Sequence, residues 1–303
     1  MYIANERKLV SEINQPSPQE STYVMDAENA AEMARLFVQG RALTSTMGSL
    51  FPASIAPHSI YKVLDLACGP SEWVLSVAEA YPHIQVTGID IDSLMIDYAR
   101  YLAVDKKLAN AHFQRGSILQ PLPFSSEQFD FVNARLMFAF MPPASWHGLM
   151  QECLRVLRPG GFIRLVEPEV FLSNSAAVQR MSGLFAQALR RAGQSFSADD
   201  HFVGLILQLR RILRDASFVD IQEQPYMINF SAGTEHFRDI TQDLKVASKL
   251  LQPFLLKWQV VQPEELEHFY QQMVDDMASE EFLGLWWYLA AWGQKPKSEA
   301  TQS

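Results

Sequence analysis

Two short segments, VLDLACGPSEW at residues 63–73 and GIDID at residues 88–92, decide the fold of this chain. Each lies at the carboxyl end of a segment that reads as a buried strand, and each presents an acidic residue there, Asp65 in the first and Asp90 in the second. Asp90 follows Gly69 by 21 residues. A carboxylate about 20 residues beyond such a turn can accept hydrogen bonds from both hydroxyls of a ribose.

Strand and helix patterns alternate around these segments. Five strands are expected at residues 61–67, 84–91, 111–117, 129–136 and 162–166. Two more are expected at residues 219–229 and 284–292, and the clearest helical spacing lies at residues 146–157. Because strands that alternate with helices form parallel sheets covered on both faces, the sequence predicts an α/β, Rossmann-like fold. Its sheet would be seven-stranded and mostly parallel, with a helical cap.

Three regions are predicted along the chain. Residues 1–57 would form an N-terminal arm and a cap helix, and residues 58–232 with 280–303 the Rossmann-like core. Residues 233–279 would form a helical cap, because an insertion of that length between neighbouring strands is usually functional. The helix predicted at residues 26–47 would bury Ala30, Met33, Ala34, Phe37 and Val38. A further helix is predicted to begin at Ser197, with Asp200 completing a capping box.

Composition narrows the classes of partner. Lys and Arg total 25 against 34 Asp and Glu, which gives a formal net charge of −9. Such a surface disfavours nucleic acid and anionic membranes. No apolar stretch is long enough to span a bilayer, and residues 1–20 lack the apolar region of a secretory signal. With Cys68 and Cys153 both in core segments, the sequence predicts a cytoplasmic protein with a small-molecule partner. The oligomeric state stays open, a homodimer included.

The turn after the first strand separates two nucleotide cofactors. A nicotinamide dinucleotide needs bare backbone N–H groups that receive its pyrophosphate at a helix N-terminus. In this chain Pro70 lacks an N–H group, Glu72 adds negative charge to the first helical turn, and Trp73 is bulky. A ligand with ribose, adenine and a positive centre but no phosphate fits this turn better. S-adenosylmethionine is such a ligand.

The order of the motifs carries a family resemblance. The two opening segments are followed by FQRGSI, LPF, FDFVNARL and RVLRPGGFIRLVEP. Together they resemble the class I S-adenosylmethionine-dependent methyltransferases, and among these the small-molecule branch that includes the ubiquinone and menaquinone enzymes. The resemblance covers residues 60–169. It departs from the family pattern in having one Gly among three small turn positions, and Ser117 where Asp is common.

The resemblance also implies which residues contact the cofactor. They are Asp65, Ala67 and Gly69 at the methionine moiety, Asp90 at the ribose, Ile91 and Met95 at the adenine, Gly116, Ser117 and Ile118 at its edge, Asn133, Ala134 and Arg135 beneath the sulfonium, and Tyr23 and Gln39 in a covering helix. Methyl transfer from a sulfonium depends mainly on positioning, and a general base is needed only where the acceptor must lose a proton.

Three residues are candidates for catalysis or substrate contact. They are His201, near the start of the helix predicted from Ser197, Glu167, at the end of the fifth strand, and Arg135. No spacing of His, Cys, Asp or Glu indicates a metal site, so none is expected.

Apolar residues of the second half suggest the acceptor. They are Phe171, Leu172, Met181, Phe185, Phe254, Leu255, Trp258, Phe269 and Met273. They would either line an apolar pocket or pack the cap onto the sheet. The sequence predicts an S-adenosylmethionine-dependent methyltransferase acting at oxygen, nitrogen or carbon of a small, partly apolar molecule. Two alternatives stay open, namely a catalytically silent S-adenosylmethionine-binding protein and a nicotinamide-dependent oxidoreductase on the same fold.

Overall fold

A computed structural model describes Met25 and residues 30–297. Its strands are β1 (Lys62–Leu66), β2 (Gln85–Asp90), β3 (Ala111–Arg115), β4 (Phe129–Arg135), β5 (Leu157–Pro168), β6 (Leu172–Ser173), β7 (Val219–Asn229) and β8 (Gly284–Gln294). Its α-helices are α1 (Ala30–Met47), α2 (Glu72–Ala80), α3 (Ser93–Asp105), α4 (Trp146–Val156), α5 (Ala176–Arg191), α6 (Leu209–Asp215), α7 (Phe237–Lys257) and α8 (Pro263–Asp276).

All of these strands belong to one sheet, in the order β3-β2-β1-β4-β5-β8-β6, with β7 paired to β8. β1 to β5 run parallel, and β8 is antiparallel to β5 and to β7. The predicted Rossmann-like α/β class is confirmed, and the unpredicted two-residue β6 adds an eighth strand. The strand order reverses between β1 and β4. In open α/β sheets, ligands bind beyond the carboxyl ends of the strands at such a point.

The central strands are covered on both faces. In β1, Val63, Leu64 and Leu66 are fully buried, and in β4 so are Phe131 and Val132. Such continuous burial is the reason that these strands read as unbroken apolar runs and not as alternating patterns. Near their carboxyl ends these two strands nevertheless carry polar residues, Asp65 in β1 and Asn133 and Arg135 in β4, at the edge where ligands bind.

Helix α1 buries a different face from the predicted one. Its buried residues include Glu32, Arg35 and Gln39, whereas the five apolar residues predicted to be buried are exposed or half-buried. The reason is that Arg35 finds two carboxylate partners inside the protein, Glu32 at 2.6 Å and Asp243 of α7 at 2.8 Å. A hydrophobic pattern assumes that charged residues face water, and buried ion pairs break that assumption.

Helices α1, α5, α7 and α8 pack on one another. α7 and α8 lie within the predicted insertion at residues 233–279, whereas α1 and α5 come from elsewhere in the chain. We propose that these four, named the cap helices below, act together as the cap. Among residues 30–297, no helix has the length and apolar character needed to cross a bilayer. Cys68 and Cys153 are both free thiols.

The helix predicted to begin at Ser197 does not form. Residues 194–205 contain no helix, and α6 begins only at residue 209. Side chains take backbone N–H groups that a helix would use for its own hydrogen bonds. Asp199 accepts from the N–H of His201 at 2.8 Å. Glu169 accepts from the N–H of Val203 at 2.7 Å. Asp and Ser side chains compete with helix formation in this way.

Gly284 of β8 has no room for a side chain, because a Cβ atom there would overlap the buried ring of Phe230. We expect Gly284→Ala to lower the free energy of unfolding by about 1–3 kcal/mol, the usual cost of overpacking. Urea denaturation would measure it. Gly148→Ala in α4 is the matched control, since a Cβ there meets no atom within 4 Å. Equal losses in the two variants would contradict the packing described.

Candidate functional site

Two neighbouring cavities lie at the carboxyl ends of the central strands. The first cavity follows β1, β2 and β4 and, together with the open solvent at its mouth, contains about 1110 Å³ of space. The second cavity lies between the cap helices and the chain after β4 and, measured in the same way, contains about 770 Å³. Two residues, Leu36 of α1 and Leu136 after β4, line both cavities. Ligands in the two cavities would therefore lie side by side.

Most of the predicted cofactor residues line the first cavity. Those that do so are Asp65, Ala67, Gly69, Asp90, Ile91, Met95, Gly116, Ser117, Ile118 and Arg135. Sequence reasoning missed several others, including Leu36, Gly40 and Leu136. Leu36 and Gly40 are one helical turn apart on α1. Their contribution depends on how α1 packs against the sheet, and no local motif signals it.

A row of hydrogen bonds holds Asp65 in place. Asp65, Asn133 and Arg164 are register neighbours on β1, β4 and β5. Asn133 Nδ2 donates to Oδ1 of Asp65 at 2.7 Å, and Arg164 Nε donates to Oδ1 of Asn133 at 2.8 Å. Burial raises the pKa of Asp65 to about 6, although the positive charge of Arg135 opposes this shift.

Asp90 fastens the turn after β1 to the end of β2. Its Oδ2 accepts from the backbone N–H of Gly69 at 2.8 Å, and its Oδ1 accepts from that of Asp92 at 2.9 Å. Burial raises the pKa of Asp90, while these backbone bonds oppose the shift. A carboxylate oxygen can accept two hydrogen bonds, so Asp90 keeps capacity for ligand hydroxyls in the first cavity.

The turn itself offers no backbone donors to a phosphate. The N–H groups of Cys68 and Ser71 donate to backbone carbonyls, and that of Gly69 donates to Asp90. Pro70 has no N–H group at all. Four successive positions are therefore closed to a pyrophosphate, which needs such donors. This arrangement supports the prediction, made from Pro70 and Glu72, that the ligand carries no phosphate.

Arg135 links the end of β4 to α1 and α2. Its Nη1 donates to Thr44 Oγ1 at 3.0 Å, and its Nη2 lies 3.2 Å from Oε2 of Glu72. Both charged side chains are about nine-tenths buried. Gly40 allows the close approach, because a Cβ there would lie 3.1 Å from the Glu72 carboxylate. Arg135 therefore lines the first cavity with its positive charge already paired with Glu72.

One wall of the first cavity is apolar. It is formed by Ile91, Met95 and Ile118, of which Met95 and Ile118 are buried. Gly116 completes the wall, since a Cβ there would lie 2.9 Å from Cδ1 of Ile89. Ser117 accepts from the N–H of Leu119 at 3.2 Å and keeps its own hydroxyl hydrogen for other acceptors. A flat heterocycle whose polar atoms lie only at its edge would fit such a wall.

Four predicted cofactor contacts are placed differently. Gln39 lines the second cavity and not the first. Asn133 is fully buried and reaches the first cavity only through Asp65. Ala134 is also fully buried, because its side chain points into the core beneath the strand end. Tyr23 lies outside the described residues.

The two remaining catalytic candidates, Glu167 and His201, line neither cavity. Glu167 is fully buried, and its carboxylate oxygens accept the backbone N–H groups of Met137 and Phe138, each at 3.0 Å. Burial raises the pKa of Glu167 to about 8. Through its two hydrogen bonds to Met137 and Phe138, Glu167 holds the short turn after β4 in place. His201 is exposed on the irregular segment before α6.

The second cavity is mainly apolar. The predicted cap residues that line it are Phe171, Met181, Phe185, Leu255 and Met273. Leu172, Phe254, Trp258 and Phe269 lie outside its lining, and Trp286 of β8 was not predicted. Among the described residues, Arg35 and Asp243 are the only titratable side chains in this lining, and they bond to each other.

Comparison with known proteins matches this architecture. A family model described as a methyltransferase domain matches residues 63–161. "Methyltransferase str2" from Strobilurus tenacellus is 24% identical over 217 residues, which cover 70% of this chain and 74% of the relative. A demethylmenaquinone methyltransferase from Geobacillus sp. (strain WCH70) is 26% identical over 188 residues, which cover 56% of this chain and 76% of the relative.

A solved structure is similar over most of the chain. It is phosphoethanolamine N-methyltransferase 2 from Haemonchus contortus, in complex with S-adenosyl-L-methionine. Its sequence is 17% identical, and the alignment covers 85% of this chain and 53% of that one with a TM-score of 0.49.

The turn after β1 contains strained backbone. Ala67 and Ser71 have φ angles of +49° and +69°, in the left-handed region where a side chain costs roughly 1–2 kcal/mol. We expect Ala67→Gly to raise the free energy of unfolding by about 0.5–1 kcal/mol, measured by thermal or urea denaturation. Ala80→Gly at the end of α2 is the control and should lower it by up to about 1 kcal/mol. A loss of stability in Ala67→Gly would contradict the strain.

Proposed function

Because this chain belongs to the class I S-adenosylmethionine-dependent methyltransferases, we propose that it methylates a small, partly apolar molecule held in the second cavity. The family match and the named relatives confirm the methyltransferase and the cofactor predicted from the motifs. The adjacency of the two cavities carries the proposal, since Leu36 and Leu136 line both. A methyl acceptor must lie beside the methyl donor for an in-line displacement.

The first cavity suits S-adenosylmethionine, which supplies an electrophilic methyl group on a sulfonium. In the proposed arrangement Asp65 receives the ammonium of the methionine end and Asp90 accepts the ribose hydroxyls. The apolar wall of Ile91, Met95 and Ile118 packs on the adenine. The backbone N–H groups of the turn already donate hydrogen bonds within the protein, so the turn has none to offer a pyrophosphate. This supports S-adenosylmethionine over a dinucleotide.

Relatives support an apolar acceptor. Several are named demethylmenaquinone methyltransferases, which favours a quinone-like compound. The lining of the second cavity agrees, because aromatic and aliphatic side chains from the cap helices dominate it.

The contribution of the chain to the reaction is mainly positioning and exclusion of water. Asp243 is the one carboxylate among the described residues that line the second cavity, and it already accepts a hydrogen bond from Arg35. Burial raises the pKa of Asp243 to about 6. No unpaired base faces the acceptor from the described lining, so orientation of the two reactants supplies the acceleration in this proposal. A proton lost by a hydroxyl, amine or carbon acceptor would pass to bulk solvent after the transfer.

Cofactor affinity should depend on pH through Asp65. Burial raises the pKa of Asp65 to about 6, and only the ionised carboxylate attracts an ammonium group. The ionised fraction changes about tenfold between pH 5 and pH 7. We therefore expect S-adenosylhomocysteine to bind about tenfold more tightly at pH 7 than at pH 5 in isothermal titration calorimetry.

Two variants control this measurement. Asp65→Asn should weaken binding at pH 7 and remove most of the pH dependence. Asp97→Asn, at an exposed carboxylate of α3, should leave the pH dependence as in the wild type. A dissociation constant that stays constant from pH 5 to pH 7 in the wild type would contradict the assigned role of Asp65.

Filling the second cavity tests the proposed acceptor site. Ala247 of α7 is nearly buried and lines the second cavity but not the first. We expect Ala247→Phe to raise the KM of an apolar acceptor at least about tenfold, a cost near 1.4 kcal/mol. Its dissociation constant for S-adenosylhomocysteine should stay within about twofold of the wild-type value, because the first cavity is unchanged.

The assay would follow release of S-adenosylhomocysteine with 2-naphthol, 1,5-dihydroxynaphthalene, geraniol and ethanolamine as acceptors. Ala247→Ser is the matched control, since it keeps the cavity open. Turnover of ethanolamine alone, with none of the apolar compounds methylated, would overturn the proposal of an apolar acceptor.

A further inference from the structure

Two polar side chains of the second cavity have no partner within the described part of the chain. Gln39 of α1 is 5% exposed, and its amide makes no hydrogen bond there. Ser182 of α5 is 7% exposed, and its buried hydroxyl likewise has no partner. A buried hydroxyl without a hydrogen bond costs free energy, so Ser182 marks a place where a ligand supplies the missing partner. The amide of Gln39 lines the same cavity and can hydrogen bond the same ligand.

Gln39 is also placed near the reacting centre. It lies one helical turn after Leu36, which lines both cavities, so the two side chains share one face of α1. A group bound by Gln39 would therefore lie close to the junction of the cavities. Ser182 reaches the same cavity from α5, on a different cap helix. The two groups can thus hold two separate substituents of one ligand.

The charged groups in this lining are matched to each other. Arg35 Nη1 donates to Asp243 at 2.8 Å, and its Nε and Nη2 donate to Glu32 at 2.6 Å and 2.7 Å. A charged acceptor entering the cavity would lose its hydration and meet no unmatched counter-charge. The polar groups left for a ligand are a neutral amide and a neutral hydroxyl.

Four aromatic rings stand in the rest of the lining, among a larger number of aliphatic and methionine side chains. Phe138 and Phe185 form an edge-to-face pair with their centroids 5.9 Å apart. Phe171 and Trp286 form a second, tilted pair at 4.6 Å. All four rings line the second cavity. Such surfaces favour a flat aromatic body, which can stack on one ring and meet the edge of another.

We propose that the acceptor is a neutral aromatic compound with two oxygen substituents, one hydrogen bonded by Gln39 and the other by Ser182. This inference rests on the proposed role of the second cavity as the acceptor site. It assigns Gln39, which the family resemblance placed in the cofactor site, to recognition of the acceptor. Gln39 and Ser182 would then determine specificity without taking part in proton transfer.

A set of naphthalenes tests the chemistry of the ligand by calorimetry on the protein loaded with S-adenosylhomocysteine. The set is 1,5-dihydroxynaphthalene, 1,5-dimethylnaphthalene, 1-naphthoate and 1-naphthylmethylammonium. We expect the dihydroxy compound to bind at least about tenfold more tightly than either charged compound, because only the charged ones forfeit hydration without a counter-charge. Equal or tighter binding of the anion or the cation would overturn the proposal.

Three variants test the residues. Gln39→Leu and Ser182→Ala should each weaken binding of the dihydroxy compound by about three- to tenfold, the range expected for one hydrogen bond. Binding of the dimethyl compound should not weaken. Ser248→Ala is the matched control and should keep the wild-type preference for hydroxyl over methyl, because Ser248 Oγ already bonds to Met273 Sδ at 3.5 Å. Wild-type affinity for S-adenosylhomocysteine verifies that each variant is folded.

The outcomes separate this inference from the proposed function. If none of the naphthalenes binds, the apolar acceptor cavity itself is wrong, and the inference fails with it. If the naphthalenes bind but Gln39→Leu and Ser182→Ala keep the full preference for hydroxyl over methyl, the acceptor cavity stands and only the assigned residues are wrong. Loss of the preference in both variants, together with rejection of the charged compounds, would support both proposals.

Discussion

The row of hydrogen bonds from Arg164 through Asn133 to Asp65 is the interaction on which the site depends. It crosses the three central strands in register and sets one carboxylate at the point where the strand order reverses. Arg164 is fully buried, with its guanidinium near the rings of Trp73 and Phe131 at 5.3 Å and 5.7 Å. Burial lowers the pKa of Arg164 to about 9. The hydrogen bond to Asn133 therefore orients a charge whose burial in the core would otherwise be unfavourable.

Helix α1 contributes residues to both cavities and is bonded to the structure beside each of them. Toward its C-terminal end, Thr44 bonds to Arg135 and Glu72 at the floor of the first cavity. Toward its N-terminal end, Arg35 bonds to Asp243 of α7 beside the second cavity. Leu36 lies between these anchors and lines both cavities. The same helix thus positions both proposed reactants, and a shift of α1 would change both cavities together.

Part of the strained backbone lies at this site. Ala67, Ser71 and Leu136 have left-handed φ angles; Ala67 and Leu136 directly follow β1 and β4, and Ser71 precedes α2. The first two occupy positions where the resembling family mostly has Gly, which adopts this conformation without a steric penalty. Strained residues persist only where the surrounding structure holds them, and they cluster at binding sites. The bonds of Asp90 to Gly69 and of Glu167 to the turn after β4 supply that restraint.

The sequence by itself determined the strand, turn and helix around residues 63–90, because those features depend on local spacing and residue type. It also determined the cofactor, since Asp65, Pro70 and Asp90 carry their chemistry within that segment. Only the tertiary structure decided the buried face of α1, the second cavity and the place of Gln39. The physical reason is distance along the chain, because the ion pair that turns α1 inward joins residues 208 positions apart. No local pattern records such a contact.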